Sequence, residues 1–114
     1  MLIYHITSEL EWHQAQPKGT YKPANYAADG FIHCSKQEQV VTVANRVYPN
    51  QNGLILLQID TGKLPVPVKE ENLEGGAELF PHIYGVLPVS AVVGSALFVR
   101  QPGNGFVFPG RLTH

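Results

Sequence analysis

The stretch that most constrains this chain is Leu54-Ile55-Leu56-Leu57-Gln58-Ile59, a run with almost no polar face. A strand that is apolar on both faces needs protein packed against each, so the run predicts a central strand covered on both sides. Pro49-Asn50-Gln51-Asn52-Gly53 before it is a strong stop, and Asp60-Thr61-Gly62-Lys63 after it is a turn. Nine prolines and eleven glycines are spread along the 114 residues rather than gathered in a linker, so every other element must be short. There is no internal repeat and no low-complexity tract.

Leu2 to Ile6 alternates as a short strand, with Tyr4 and Ile6 on one face and Ile3, His5 and Thr7 on the other. Ser8, with Glu11 three positions later, has the form of a capping box and opens a short helix to about Gln14. Pro17, Gly19 and Pro23 then mark a loop carrying Tyr21 and Tyr26. Gly30 to Cys34 reads as a second strand that runs into Ser35-Lys36-Gln37-Glu38, a second box of the same form. The helix it opens carries Val40, Val43, Ala44 and Val47 at helical spacing, with Gln39, Thr42, Asn45 and Arg46 mostly away from that stripe.

Val66 to Glu70 reads as an edge strand, because Pro65 and Pro67 cannot donate to a ladder. Leu73 to Pro88 reads as irregular, Ala91 to Val99 as the last strand, and the Gly/Pro-rich residues 100–114 as a loosely held tail. The sum is one small α+β domain over residues 1–114, a mostly antiparallel or mixed sheet with two short helices near the N-terminus.

Eight Lys+Arg against nine Asp+Glu leave no surplus of positive charge to drive binding to nucleic acid or an anionic membrane. The longest nearly apolar segment, Ala91 to Val99, is far shorter than the roughly 20 residues a bilayer requires. The first residues lack the basic-then-apolar pattern of a signal peptide, so the expectation is a soluble, cytoplasmic protein. Cys34 is the single cysteine, which excludes an intramolecular disulfide and a multi-cysteine zinc site.

Candidate chemistry gathers in two motifs. In Asp29-Gly30-Phe31-Ile32-His33-Cys34-Ser35, a strand would place Phe31, His33 and Ser35 on one face, with Ser35 at a helix N-terminus. A histidine there can recognise a phosphate or a ribose hydroxyl; the ordinary alternative is an imidazole satisfied by a nearby backbone group. In Phe80-Pro81-His82-Ile83-Tyr84-Gly85, His82 and Tyr84 lie on an extended or turning segment suited to stacking a planar ring, while Phe80 and Ile83 fill core. His5 is a third candidate on the Ile3/Thr7 face, where a lone strand histidine is usually structural. Among the acidic residues Glu70, Glu71, Glu74 and Glu78, Glu71 at the end of a strand is the best placed to hold a ribose diol or face a developing positive charge. Such a run is more often a solvated face. A Cys34/His nucleophile pair is disfavoured because the adjacent His33 points to the opposite side of the strand, although His5 or His82 could approach Cys34 in space. A zinc site from His5, His33, Cys34 and His82 lacks recognisable ligand spacing, so no metal is expected.

Taken together, Ile3-Tyr4-His5-Ile6-Thr7, Asp29 to Ser35, Glu71 and Phe80 to Gly85 resemble the bacterial family called domain of unknown function 952, over about Leu2 to Val93. That pattern in turn resembles a small relative of the ADP-ribosyltransferase superfamily, including its RNA 2′-phosphotransferase branch. The resemblance implies an ADP-ribosyltransferase-like fold and NAD as a substrate. It places His5 on ribose, Phe31 and His33 in a second motif, and Glu71 or His82 in the third position.

The expectation is therefore an enzyme-like transferase pocket for NAD or an ADP-ribose-containing ligand. Glu71, His82 and His33 would be catalytic, and His5, Thr7, Asp29, Phe31, Ser35 and Tyr84 would bind. The rival is a non-catalytic binding or interaction module, able to form a homodimer, whose strands carry the apolar area and whose His motifs serve as hydrogen-bonded structural pins. A small hydrolase using His33 with Glu71 stands third.

Overall fold

The apolar run forms β4 (Leu54–Asp60), flanked on both sides by antiparallel partners, β1 (Leu2–Ser8) and β8 (Val92–Phe98). In this computed structural model, which describes residues 1–73 and 75–113, alternation along the three strands separates two apolar clusters. Ile3, Ile55, Leu57 and Ile59 enter one cluster, and Tyr4, Ile6, Leu54 and Leu56 enter the other. The run's one polar member is also used, since Gln58 Nε2 donates to the Tyr4 hydroxyl at 3.0 Å.

The second cluster lies under α3 (Gln37–Val47), which buries Val40 and Ala44 against Phe98 and Phe106. The first is closed by α1 (Glu9–Ala15), through Trp12 and Ala15, and by a second antiparallel sheet. That sheet has β6 (Phe80–Ile83) between β3 (Ile32–His33) and the edge strand β5 (Val68–Glu71). β2 (Thr20–Tyr21) and β7 (Leu87–Pro88) form a short ribbon, and β9 (Arg100–Gln101) pairs with β10 (Gly105–Phe106). The chain is thus one small α+β domain with mostly antiparallel sheets. Its radius of gyration of 13.4 Å matches a compact chain of this length. Among the described residues, no helix is long and apolar enough to cross a membrane.

Four departures from the sequence reading follow from local physics. The segment read as irregular contains the central strand β6, and Pro81 sits within it. Its carbonyl stays in the ladder, accepting from the Cys34 N–H at 3.0 Å, and the sheet loses only a donor. Gly30, at φ 80°, ends an additional short helix, α2 (Tyr26–Asp29), so β3 begins only at Ile32. Ser35 does not cap α3: the Gln39 side-chain oxygen accepts from the Lys36 N–H, moving the helix start one residue on and burying Gln39. Ser35 instead exchanges two 2.8 Å main-chain bonds with Tyr4, which ties the two sheets together.

The fourth departure is the tail. Phe106 is buried, Phe108 and Leu112 pack on the second cluster, and Thr113 pairs with Ser95. An apolar residue every few positions anchors a segment whose glycines and prolines read as slack.

Candidate functional site

Past the Tyr4–Ser35 bridge, no ladder bond joins β1 to β3 among the described residues, and a cleft of about 400 Å³ opens between them under α3. Of the residues singled out from sequence, His5, Thr7, His33, Ser35, Glu71 and His82 line it. Asp29, Phe31 and Tyr84 stand outside that lining. Glu74 lies outside the described residues, and Glu70 pairs with Lys36 at 2.9 Å, away from the cleft chemistry.

The β5–β6 register explains how Glu71 finds its partner. Glu71 pairs across the ladder with Phe80, so His82 is its diagonal neighbour on the same face, within reach of a long side chain. Glu71 Oε1 lies 2.9 Å from His82 Nδ1 and accepts from the Tyr84 hydroxyl at 2.5 Å. The Tyr84 bond, then the His82 bond, holds the Glu71 carboxyl below its usual range, and the same contact raises the Tyr84 phenol. Tyr84 is therefore an anchor for Glu71 rather than a stacking surface, and its ring faces Lys69 Nζ at 4.8 Å. The ring stacked on His82 is Phe31, 4.2 Å away with planes 24° apart.

His33 sits opposite His82 in the β3–β6 ladder, ring centroids 5.4 Å apart. Its Nε2 lies 2.9 Å from Asp29 Oδ2, which also accepts from Asn25 Nδ2. The carboxylate–imidazole pairs are thus Asp29–His33 and Glu71–His82, not the His33–Glu71 pair considered from sequence.

His5 is committed internally. Nδ1 reaches the His33 carbonyl and Nε2 the Tyr21 hydroxyl at 2.8 Å. The Tyr21 oxygen also lies 2.9 Å from Thr7 Oγ1, and Thr7 donates to Glu11 Oε2 at 2.9 Å. Burial, the largest influence, lowers the His5 pKa to about 4, so the ring is neutral at pH 7. With both nitrogens occupied, His5 positions β3 and has no hydrogen bond left for a ribose. Burial likewise raises the Cys34 thiol, and the residue packs in the first apolar cluster, which removes it as a nucleophile. Among the described residues, no group of three His, Cys, Asp or Glu is arranged to hold a metal.

Sequence reasoning missed Tyr21, Glu11 and Arg46 as cleft residues. Tyr21 read as a loop aromatic, Glu11 as part of a cap and Arg46 as a helix position away from the apolar stripe. Nothing local in the sequence announces that α1, β2 and α3 converge on one cavity.

The family model described as Protein of unknown function (DUF952) matches residues 6–95. The crystal structure of protein CC0527 from Caulobacter crescentus is 35% identical, with 94% of each chain covered and a TM-score of 0.83. The solution NMR structure of the same protein is 38% identical, over 92% of this chain and 90% of that one, with a TM-score of 0.78. Both are structural genomics targets. Comparison with curated proteins gives no match.

Proposed function

Because the chain belongs to the DUF952 family, and its motifs converge on one cleft, we propose that this cleft is an enzyme-like pocket for NAD or another ADP-ribose-containing ligand. The observation that carries the reading is Glu71: an ionised carboxylate fixed by Tyr84 and His82, opening into a cavity of ligand size. Both bonds fall on Oε1, which leaves Oε2 to hold a ribose hydroxyl or face positive charge developing on the sugar ring. A fixed anion there stabilises an oxocarbenium-like transition state more than the ground state, which is what lowers a barrier.

His33 stands across from Glu71. With Nε2–H directed at Asp29, its Nδ1 lone pair accepts from a ribose hydroxyl. Phe80 and Tyr48 supply aromatic surface inside the cleft, and Arg46 brings positive charge toward a pyrophosphate. His5 and Thr7 form the wall behind His33 rather than ligand contacts.

Amide chemical-shift mapping with NAD, ADP-ribose and nicotinamide in turn tests this. The reading expects the largest shifts from NAD, at His33, Glu71, Phe80 and His82. Absence of shifts at millimolar NAD, or shifts confined to another face, would overturn it. The second reading, a non-catalytic binding module, draws on the internal satisfaction of His5. Under it His33→Ala lowers stability and leaves ligand affinity unchanged.

A further inference from the structure

Among the titratable groups of the cleft, few can accept a proton from a substrate. The Glu71 carboxyl is held low and is a weak base. His5 has both nitrogens engaged. The Cys34 thiol and the Tyr21 phenol are both raised by burial and stay protonated.

His82 differs from all of these. A carboxylate can only accept, so with Glu71 ionised the proton of their 2.9 Å bond sits on His82 Nδ1. A neutral His82 is then the Nδ1–H tautomer with its lone pair on Nε2, and no polar group among the described residues pairs with that nitrogen. The ring cannot swing away, because Phe31 is stacked on one face and Ile83 and Pro81 fix the strand beneath it. His82 is 4% exposed yet lines the cleft, so Nε2 is its remaining polar contact with whatever enters. His33, also backed by a carboxylate, has a side chain 45% exposed and sits at the mouth, where water competes for its ring.

We propose that His82 is the general base of the cleft, positioned by Glu71, and that the group accepting the transferred ribosyl unit is an oxygen nucleophile: water or a hydroxyl-bearing molecule. The choice of electrophile rests on the NAD reading above. In the step, the acceptor O–H gives its proton to His82 Nε2 while the acceptor oxygen bonds to the anomeric carbon. The N-glycosidic bond breaks with its electron pair going to the pyridinium ring, which leaves as neutral nicotinamide. His82 then releases the proton to solvent.

Two measurements on the full chain test the assignment. Ring ¹⁵N chemical shifts at pH 8 report the tautomer directly. The Nδ1–H form is expected in the wild type, with that bias lost in Glu71→Ala. An Nε2–H tautomer overturns the proposal whether or not NAD binds. Single-turnover nicotinamide release from NAD is then compared between wild type and His82→Asn, whose amide keeps the donor to Glu71 and deletes the base. The expected loss is on the order of 100-fold or more in rate, with NAD affinity changed less than about threefold. Equal rates, or a loss entirely in affinity, overturn the base assignment. Failure of NAD to bind at all, with the tautomer as expected, removes the NAD electrophile and leaves His82 as a base toward a different one.

Discussion

The Nδ1–H of His5 donates to the main-chain carbonyl of His33 at 2.5 Å, so a side chain on β1 closes the gap where the ladder between β1 and β3 ends. A buried carbonyl without a donor is costly, and here the imidazole satisfies it while leaving the cleft open beside it. His5 thereby controls where His33 stands without touching a ligand.

Replacing His5 with Ala takes from the His33 carbonyl its imidazole donor and from the Tyr21 hydroxyl one of its partners. The expected loss is about 2–4 kcal/mol of stability, read from the urea midpoint. A loss within the ~0.5 kcal/mol typical of surface changes would mean the bond does not hold the strand.

The lowered pKa of His5 makes stability pH-dependent. Below pH 6.5 the unfolded chain protonates this histidine, while the folded chain resists down to about 4. The unfolded state therefore binds more protons in that window, and stability falls as pH drops through it, by on the order of 3 kcal/mol. The contribution is complete above pH 6.5. Denaturant titrations at pH 7 and pH 4.5 check it: His5→Asn should flatten the difference, and an unchanged slope in that variant would assign it to other groups.

Gly85 is required by packing. A Cβ placed there would lie 2.5 Å from Val66 Cγ1 and 2.8 Å from Val66 Cβ. Gly85→Ala should cost about 1–3 kcal/mol through overpacking, and Val66→Ala in the same chain should recover part of it. Full stability in the single variant would show that the Val66 segment yields freely.

Tyr84→Phe removes the hydroxyl that contributes most to holding the Glu71 carboxyl low. Carboxyl ¹³C titration should show Glu71 moving back toward the ordinary carboxylate range. No movement would assign the lowering to His82 and Lys69 instead.

Much of this architecture could be read from residue order. The doubly apolar run at 54–59 located the central strand, and the alternation at Leu2 to Ile6 assigned His5 and Thr7 to the correct face. The capping reading at Ser8 also held, with its hydroxyl accepting from the Glu11 N–H. The same logic failed at Ser35, because Tyr4 claimed its backbone from 31 positions away in the chain. Pro81 concealed β6 because local rules treat proline as a break, whereas an antiparallel ladder needs only its carbonyl. The pairing of Glu71 with His82, not His33, depends on strand register, which no short window of sequence contains.

Binding of NAD or an ADP-ribose unit in the cleft is read by a thermal-shift titration of the purified protein with NAD, ADP-ribose and nicotinamide. Ligand at about 100 times its dissociation constant should stabilise the fold by roughly 2.7 kcal/mol. For a domain of this size that is a rise in melting temperature on the order of 10 °C. That rise is expected with NAD or ADP-ribose, and is expected to be lost in Glu71→Ala. An unchanged melting temperature with all three ligands would contradict it and leave the cleft as the pocket of a binding module for another class of molecule.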